Sequence, residues 1–213
     1  MTPSYRQLSK TLYQKGAEAE IYLTEYWGCR AILKVRIKKM YRHPKVDSNI
    51  RLERTRNEAL NMLRAYKAGV NVPMLYDFSL REYWILMEYI EGKPLREDLN
   101  EYNLKKAGEA LALMHTANIA HWDYTTANIL VNEGKIYVID FGLSRYTESD
   151  LDKAIDIHLM IRSLLSAHPE AENLVDAFWE GYASYGNVEL MKEMVRKIEM
   201  MGRYVKERRK TVW

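Results

Sequence analysis

The sequence predicts an α+β fold of two lobes, a β-sheet N-lobe carrying one helix and a small helical C-lobe. Three observations predict it. Strand-like runs separated by turn residues occupy residues 10–38 and 77–89, helical spacing dominates residues 103–210, and one short hairpin interrupts the helices at 128–139. The length of 213 residues, with 47% apolar and 29% charged side chains, suits one domain whose lobes share a cleft, and neither a multidomain assembly nor a disordered chain.

Residues 10–13, 19–26 and 30–38 are rich in β-branched and aromatic side chains and are parted by Gly16 and by Trp27-Gly28, which predicts three antiparallel strands. From about Asp47 to Ala68 the pattern turns helical, with Leu52, Ala59, Leu60, Leu63 and Tyr66 spaced mostly by three or four and Gly69 placed as the stop. Residues 77–80 and 83–89, turned at Arg81-Glu82, complete a five-stranded sheet with one helix. The chain then passes through a loop at Glu91-Gly92-Lys93-Pro94.

Beyond that linker, residues 103–116 place Leu104, Ala107, Leu111 and Met114 on one helical face, and further helices are predicted over 149–167, 170–185 and 188–210. Between them, residues 128–131 and 135–139 form a hairpin turned at Asn132-Glu133-Gly134, which brings polar residues at its outer ends together. On this reading the single domain has an N-lobe over about 1–90, a C-lobe over about 94–205 and a basic tail over 206–213.

One cysteine, Cys29, excludes an intrachain disulfide framework and a cysteine-cluster metal site and predicts a reducing, cytoplasmic setting. Beside a turn and without a neighbouring histidine, it reads as a packing residue rather than a nucleophile. The longest uncharged apolar stretches fall far short of the ~20 residues of a membrane span, and the N-terminus lacks a signal-peptide core, so no membrane contact is expected. The net charge of +3 hides a partition: residues 30–67 hold twelve Lys or Arg against three acids, residues 192–213 eight against three, and residues 68–191 nine against twenty. Basic blocks segregated in this way suit a polyanion partner and equally suit solvated helix faces.

The chemistry concentrates around the hairpin, in His121-Trp122-Asp123-Tyr124-Thr125-Thr126-Ala127-Asn128 and Asp140-Phe141-Gly142. An H-x-D-x₄-N loop, a hairpin and D-F-G put a base-like carboxylate, an amide oxygen and a metal-seeking carboxylate on one rim, as phosphoryl transfer from Mg-ATP requires. In that scheme Asp140 bridges Mg²⁺ to the phosphates, Asn128 supplies a second metal ligand, and Asp123 orients the accepting hydroxyl or water and takes its proton. Upstream, Lys34 ends the apolar run Ala31-Ile32-Leu33 and Glu58 lies in the following helix, matching a lysine that holds phosphates and a glutamate that positions it. Each pattern alone recurs by chance; the order and context of all four carry the weight.

With these residues in place the sequence resembles the small atypical PRPK-type kinases, relatives of the RIO kinases and the kinase subunit of the KEOPS complex. The resemblance extends through Gln14-Lys15-Gly16-Ala17-Glu18-Ala19, the basic run from Lys34 to Pro44, Arg54-Thr55-Arg56-Asn57-Glu58-Ala59, the Thr125-Thr126 pair and the basic C-terminus. It implies a reduced protein-kinase-like bilobal fold that binds ATP and Mg²⁺. The activity it implies is ATP hydrolysis or autophosphorylation on serine, in support of a partner enzyme that makes threonylcarbamoyladenosine in tRNA. The implied partners are the KEOPS threonylcarbamoyltransferase subunit, a small N-lobe-binding KEOPS subunit and tRNA; no DNA is implied. Carried over by position, Lys34, Glu58, Asp123, Asn128 and Asp140 form the active-site set, and Gly16 and Ala17 lie in the loop over the phosphates. Met87, Glu88 and Ile90 belong to the hinge that meets adenine, and Asp156 braces the loop before Asn128 through buried hydrogen bonds.

The chain departs from the family at Trp122, usually Gly, and Tyr124, usually Leu, which predicts a crowded mouth to the site. No A-P-E follows Gly142 and a helical pattern begins within about ten residues, so no ordinary peptide-docking platform is expected. These features favour a kinase acting mainly as a Mg-dependent ATPase over two alternatives, a genuine protein-serine kinase and a non-catalytic ATP-binding partner module. His121 is expected to fix its loop, the remaining histidines to lie at the surface or in the core rather than bind metal, and the methionines of residues 191–201 to pack in the core or between lobes rather than offer a face to a partner helix.

Overall fold

The computed structural model describes residues 8–169 and 171–210. Its N-lobe is a five-stranded antiparallel sheet in the order β1-β2-β3-β5-β4, built from β1 (Lys10–Lys15), β2 (Ala19–Tyr26), β3 (Cys29–Arg36), β4 (Leu75–Ser79) and β5 (Trp84–Glu88). Helix α1 (Pro44–Lys67) crosses between β3 and β4. The β2–β3 turn holds Trp27 at φ 53° and Gly28 at φ 78° between the paired Tyr26 and Cys29, the two left-handed residues that match the twist of a hairpin. At the end of this turn Cys29 is exposed rather than packed, because beyond the last ladder pair there is no layer to cover it.

The pleat sorts the sheet into two faces. Ala31 and Leu33 of β3 join Trp84 and Leu86 of β5 in a small buried cluster on one face. Ile32, Lys34 and Arg36 therefore share the other face with Ile85 and Met87, toward α1 and the C-lobe. Of the apolar positions whose spacing marks α1 as a helix, Ala59 is buried and Leu60 half-buried, but Leu52, Leu63 and Tyr66 are 38%, 39% and 54% exposed. Its buried face carries Thr55, Glu58, Ala59, Asn61, Met62 and Ala65, since the helix must present polar groups to the cleft as well as methyls to the sheet.

After the linker come β6 (Lys93–Pro94), a 3-10 turn Leu95–Glu97, and α2 (Glu101–Thr116), whose Asn100 cap accepts from the Asn103 amide at 2.8 Å. All four apolar positions predicted on one face of α2 are buried. Next come β7 (Ile119–Ala120), β8 (Ile129–Asn132), β9 (Lys135–Val138) and β10 (Arg145–Tyr146). The chain ends in α3 (Asp150–Ala167), α4 (Glu172–Tyr182) and α5 (Val188–Lys210). β8 and β9 form the predicted hairpin around Glu133 and Gly134, while β6 adds to β8, and β7 pairs with β10. α4 stops three residues before its predicted end, where the Gly186 amide folds back to the Tyr182 carbonyl. One core runs from Ala59 and Met62 of α1 through Leu104 and Leu111 of α2 to Ile157 and Met160 of α3, so the lobes are joined by continuous packing. In α5 Met191 is buried, but Met200 and Met201 are exposed. Among the described residues no helix is long and apolar enough to cross a membrane.

Candidate active site

Strand alternation delivers Lys34 to the cleft, and α1 meets it there. Lys34 Nζ donates to Glu58 Oε1 and to Asp140 Oδ1, both at 2.7 Å, and the Lys34 and Glu58 side chains are almost fully buried. Burial works against the charged amine, but Glu58 and Asp140 outweigh it and raise the Lys34 pKa. Glu58 is shared: its other oxygen accepts from Arg36, two residues along β3 and on the same face. Two cations thus meet two carboxylates, which a buried ionic cluster requires. The sequence reading missed Arg36, although its spacing of two from Lys34 put both on one side of the strand.

Asp140 sits in a left-handed conformation at φ 61°, a cost of about 1 kcal/mol for a residue with a side chain. Its side chain is 46% exposed to the cleft. The surrounding protein disfavours its charge, yet Lys34 and the Gly142 amide hold the carboxyl well below the usual carboxylate range. Crowding favours Gly142, because a Cβ there would stand 2.8 Å from the Arg36 guanidinium and 3.0 Å from Asp140 Oδ1 and would push the ion-paired Arg36 aside.

Asn128 donates through Nδ2 to both the main-chain oxygen and Oδ2 of Asp123, at 2.9 and 2.8 Å. Its amide carbonyl oxygen is left as the group that faces elsewhere. Burial raises the Asp123 pKa, the Asn128 hydrogen bond and His121 oppose this, and the negative Asp140 and Asp156 reinforce it. His121 is fully buried, its Nε2 lies 3.1 Å from the Ile139 carbonyl, and its ring rests on Phe141 at 4.9 Å. Asp156, from α3, accepts the main-chain amides of His121 and Trp122 at 2.6 Å each and so braces this loop.

Gly16 and Ala17 lie in the β1–β2 turn, closed by the Gly16 amide on the Ala19 carbonyl at 2.9 Å. The next residue, Glu18, is clamped by Arg42 at 2.8 Å and by Arg54 of α1 at 3.2 Å. The Arg42 contact holds its carboxyl below the ordinary value against the cost of burial. Met87 and Ile90 are buried at the exit from β5; the Glu88 amide is taken by Met74 and the Tyr89 amide by Arg30, whereas the Ile90 amide has no acceptor among the described residues.

The two departures part ways. Tyr124 does not crowd the mouth: it is 0% exposed, and its hydroxyl donates to the Ala107 carbonyl at 2.8 Å, so the ring is core and its one polar atom is satisfied. Trp122 holds φ 63°, which explains on conformational grounds why glycine suits that position, and the Arg145 guanidinium stacks on its indole at 3.9 Å.

Much of the first basic block is spent internally. Lys34 and Arg36 meet Glu58, Arg42 and Arg54 meet Glu18, Arg51 meets Asp47, and Arg30 meets Glu91. In the tail, the side chains of residues 202–210 and all of 211–213 lie outside the described residues. Among the described residues no cluster of three or more His, Cys, Asp or Glu side chains is arranged to hold a metal.

The protein kinase domain family matches residues 32–159. KEOPS complex subunit Bud32 of Pyrococcus abyssi is 36% identical over 210 residues, covering 91% of this chain and 96% of that protein. A probable bifunctional tRNA threonylcarbamoyladenosine biosynthesis protein of Methanobrevibacter smithii is 41% identical over 204 residues, covering 94% of this chain and 38% of that protein, and its counterpart in Methanococcus vannielii is 39% identical. The chain thus spans less than two fifths of the length of these bifunctional relatives. In fold it is similar to WaaP, solved in complex with acyl carrier protein, with a TM-score of 0.61 at 16% identity over 98% of this chain and 90% of that one, a likeness of fold alone. A kinase-domain match that spans Lys34, Glu58 and both loops, and a Bud32 subunit matched almost end to end, place the chain in the protein kinase domain family and, within it, in the Bud32 family.

Proposed function

We propose that the chain is an atypical small kinase acting mainly as a Mg-dependent ATPase, in the cytoplasm, in support of threonylcarbamoyladenosine formation on tRNA by a partner enzyme. The observation that carries the reading is Lys34 held between Glu58 and Asp140, opposite a paired Asp123 and Asn128. Lys34 would turn from Asp140 to the α- and β-phosphates while Glu58 keeps its grip, and the Ile90 amide and Glu88 carbonyl would meet adenine. Gly16 and Ala17 would cover the phosphates.

The donors fit Mg²⁺. Asn128 has both N–H groups turned to Asp123 and offers oxygen, and Asp140 has one oxygen engaged by Lys34 and Gly142 and its other without a hydrogen bond among the described residues. Few protein ligands suffice, because Mg²⁺ in such sites is held by one or two carboxylates together with phosphates and water. When bound it would neutralise charge on the phosphates. Asp123, with its raised pKa, would accept the proton of the attacking water as the γ-phosphorus–oxygen bond to ADP breaks.

The connection from Gly142 to α3 consists of a 3-10 turn and the two-residue β10, which favours water or the chain's own serine as acceptor over a docked peptide. The names of the relatives support a KEOPS-type assembly; its threonylcarbamoyltransferase subunit and a small subunit on the N-lobe would be the partners, with tRNA met by the basic residues left unspent. The test is ATP turnover of the purified chain alone and again with the candidate transferase and tRNA. Magnesium-dependent turnover that rises with both partners is the expected result, and no nucleotide binding under any condition would overturn the reading.

A further inference from the structure

Helices α2 and α4 cross in backbone contact. A Cβ on Gly108 would stand 2.0 Å from the Phe178 carbonyl oxygen, and one on Gly181 would stand 1.9 Å from the Lys105 carbonyl oxygen, so only hydrogen fits at either point. The crossing carries Tyr182, the last residue of α4, against His115 of α2. Gly186 closes over the phenol, where a Cβ would meet the ring at 2.2 Å. Both side chains are buried, and Tyr182 Oη lies 2.8 Å from His115 Nδ1 while His115 Nε2 lies 3.2 Å from Asp156 Oδ2.

Chemistry fixes the direction of this chain of bonds. Asp156 already accepts two main-chain amides, so the imidazole nitrogen facing it must be the one that carries a proton. Burial pushes the His115 pKa down despite Asp156, so the ring is neutral and Nδ1 is bare. The tyrosine hydroxyl is then the donor to Nδ1, and burial, with the charge of Asp156, keeps that proton in place by holding the phenol well above its ordinary value. We infer that Tyr182 is a positioning residue: its hydroxyl anchors the His115 ring against Asp156, and through His115 and Asp156 it sets the main chain at residues 121 and 122.

Without the hydroxyl, Nδ1 keeps a buried lone pair with no donor and the ring loses one of its two anchors, so it can shift against Asp156 and loosen the hold of the carboxylate on the two amides. The consequence for turnover rests on the role proposed above for Asp123; the wiring itself does not. The experiment uses the full ¹⁵N-labelled chain and its Tyr182→Phe variant, which keeps the ring and the packing. Imidazole ¹⁵N shifts should report an Nε2–H tautomer for His115 in both proteins, with the Nδ1 resonance moving downfield in the variant as its hydrogen bond is lost. The amide protons of His121 and Trp122 should move upfield in the variant, while that of Leu33 stays. ATP turnover should fall roughly 3–10-fold with KM unchanged, since the nucleotide contacts are untouched. An Nδ1–H tautomer in the unaltered protein overturns the inference without any variant, as do unmoved loop amides, or an unchanged kcat beside a lowered melting temperature. Absent turnover in the unaltered protein would count against the proposed function, and the tautomer and amide shifts would still decide the wiring.

Discussion

One amide nitrogen of Asn128 holds Asp123 twice, by its carboxylate and by its own carbonyl, at 2.8 and 2.9 Å. The asparagine thereby restrains the carboxylate and opposes the rise in its pKa. Under the proposed role Asp123 must be ionised to accept a proton, so the acid limb of the pH–rate profile should report its pKa. Asn128→Ala should shift that limb to higher pH. Asp123→Asn should lower turnover by about 10²-fold or more while ATP still binds; parallel loss of binding and turnover in isothermal titration and steady-state assays would make Asp123 structural instead.

Arg36 and Lys34 divide the work of Glu58. Arg36→Met leaves a buried carboxylate with one cation and should cost about 2–4 kcal/mol in equilibrium denaturation, with ATP affinity changed by less than about tenfold. Lys34→Met should do the opposite, weakening ATP strongly. If Arg36→Met unfolds at the same denaturant concentration as the parent, the second contact to Glu58 carries no stability.

The depressed pKa of Asp140 makes a prediction for acid stability. A carboxyl whose folded pKa lies below its usual 3.8 stabilises the protein above that pH and loses the contribution as the pH falls further. The melting temperature of Asp140→Asn should therefore lie below that of the parent at pH 6, and the gap should close as the pH drops through about 4 toward 2. A gap that is constant with pH would mean the charge of Asp140 is not what Lys34 holds.

Trp122→Gly exchanges strain for a stack. Relief of the left-handed conformation gains about 1 kcal/mol, and loss of the Arg145 contact gives back about 0.5–1 kcal/mol, so stability should scarcely change. If the indole narrows the entrance, phosphorylation of an added protein substrate should rise relative to ATP hydrolysis. An unchanged ratio would remove Trp122 from the acceptor side.

Deleting residues 206–213 tests the basic tail. As an RNA contact its four cations should contribute roughly 3 to the slope of log K against log salt, so the deletion should weaken tRNA binding and flatten the slope. As a contact to the ATP cleft, its loss should change turnover without RNA. A truncated protein that shows neither effect leaves the segment a solvated helix end.

The order of strands and helices and the main constellation were legible because they are local: alternation placed Lys34, and the hairpin set Asp123, Asn128 and Asp140 on flanking loops. What was misread depended on partners distant in sequence. The buried face of α1 is hidden in the sequence because Glu58 and Asn61 are polar, and their burial is decided by Lys34, Arg36 and Ser144. Tyr124 stands beside Asp123 in sequence, yet its environment is set by Ala107, and proximity in a motif does not say which way a ring points. The two-residue pairings of β6 with β8 and β7 with β10 carry no periodicity at all.

Because Arg54 and Glu58 sit one turn apart on α1, the helix that grips the lysine also tethers, through Glu18, the β1–β2 turn. The two grips share one rigid lever. Under the proposed nucleotide role, ATP that draws Lys34 and the turn inward must fix the attitude of α1 by as much free energy as a fixed α1 contributes to ATP affinity. Anything that tilts this helix, from either side of the molecule, would be registered as a change in nucleotide affinity.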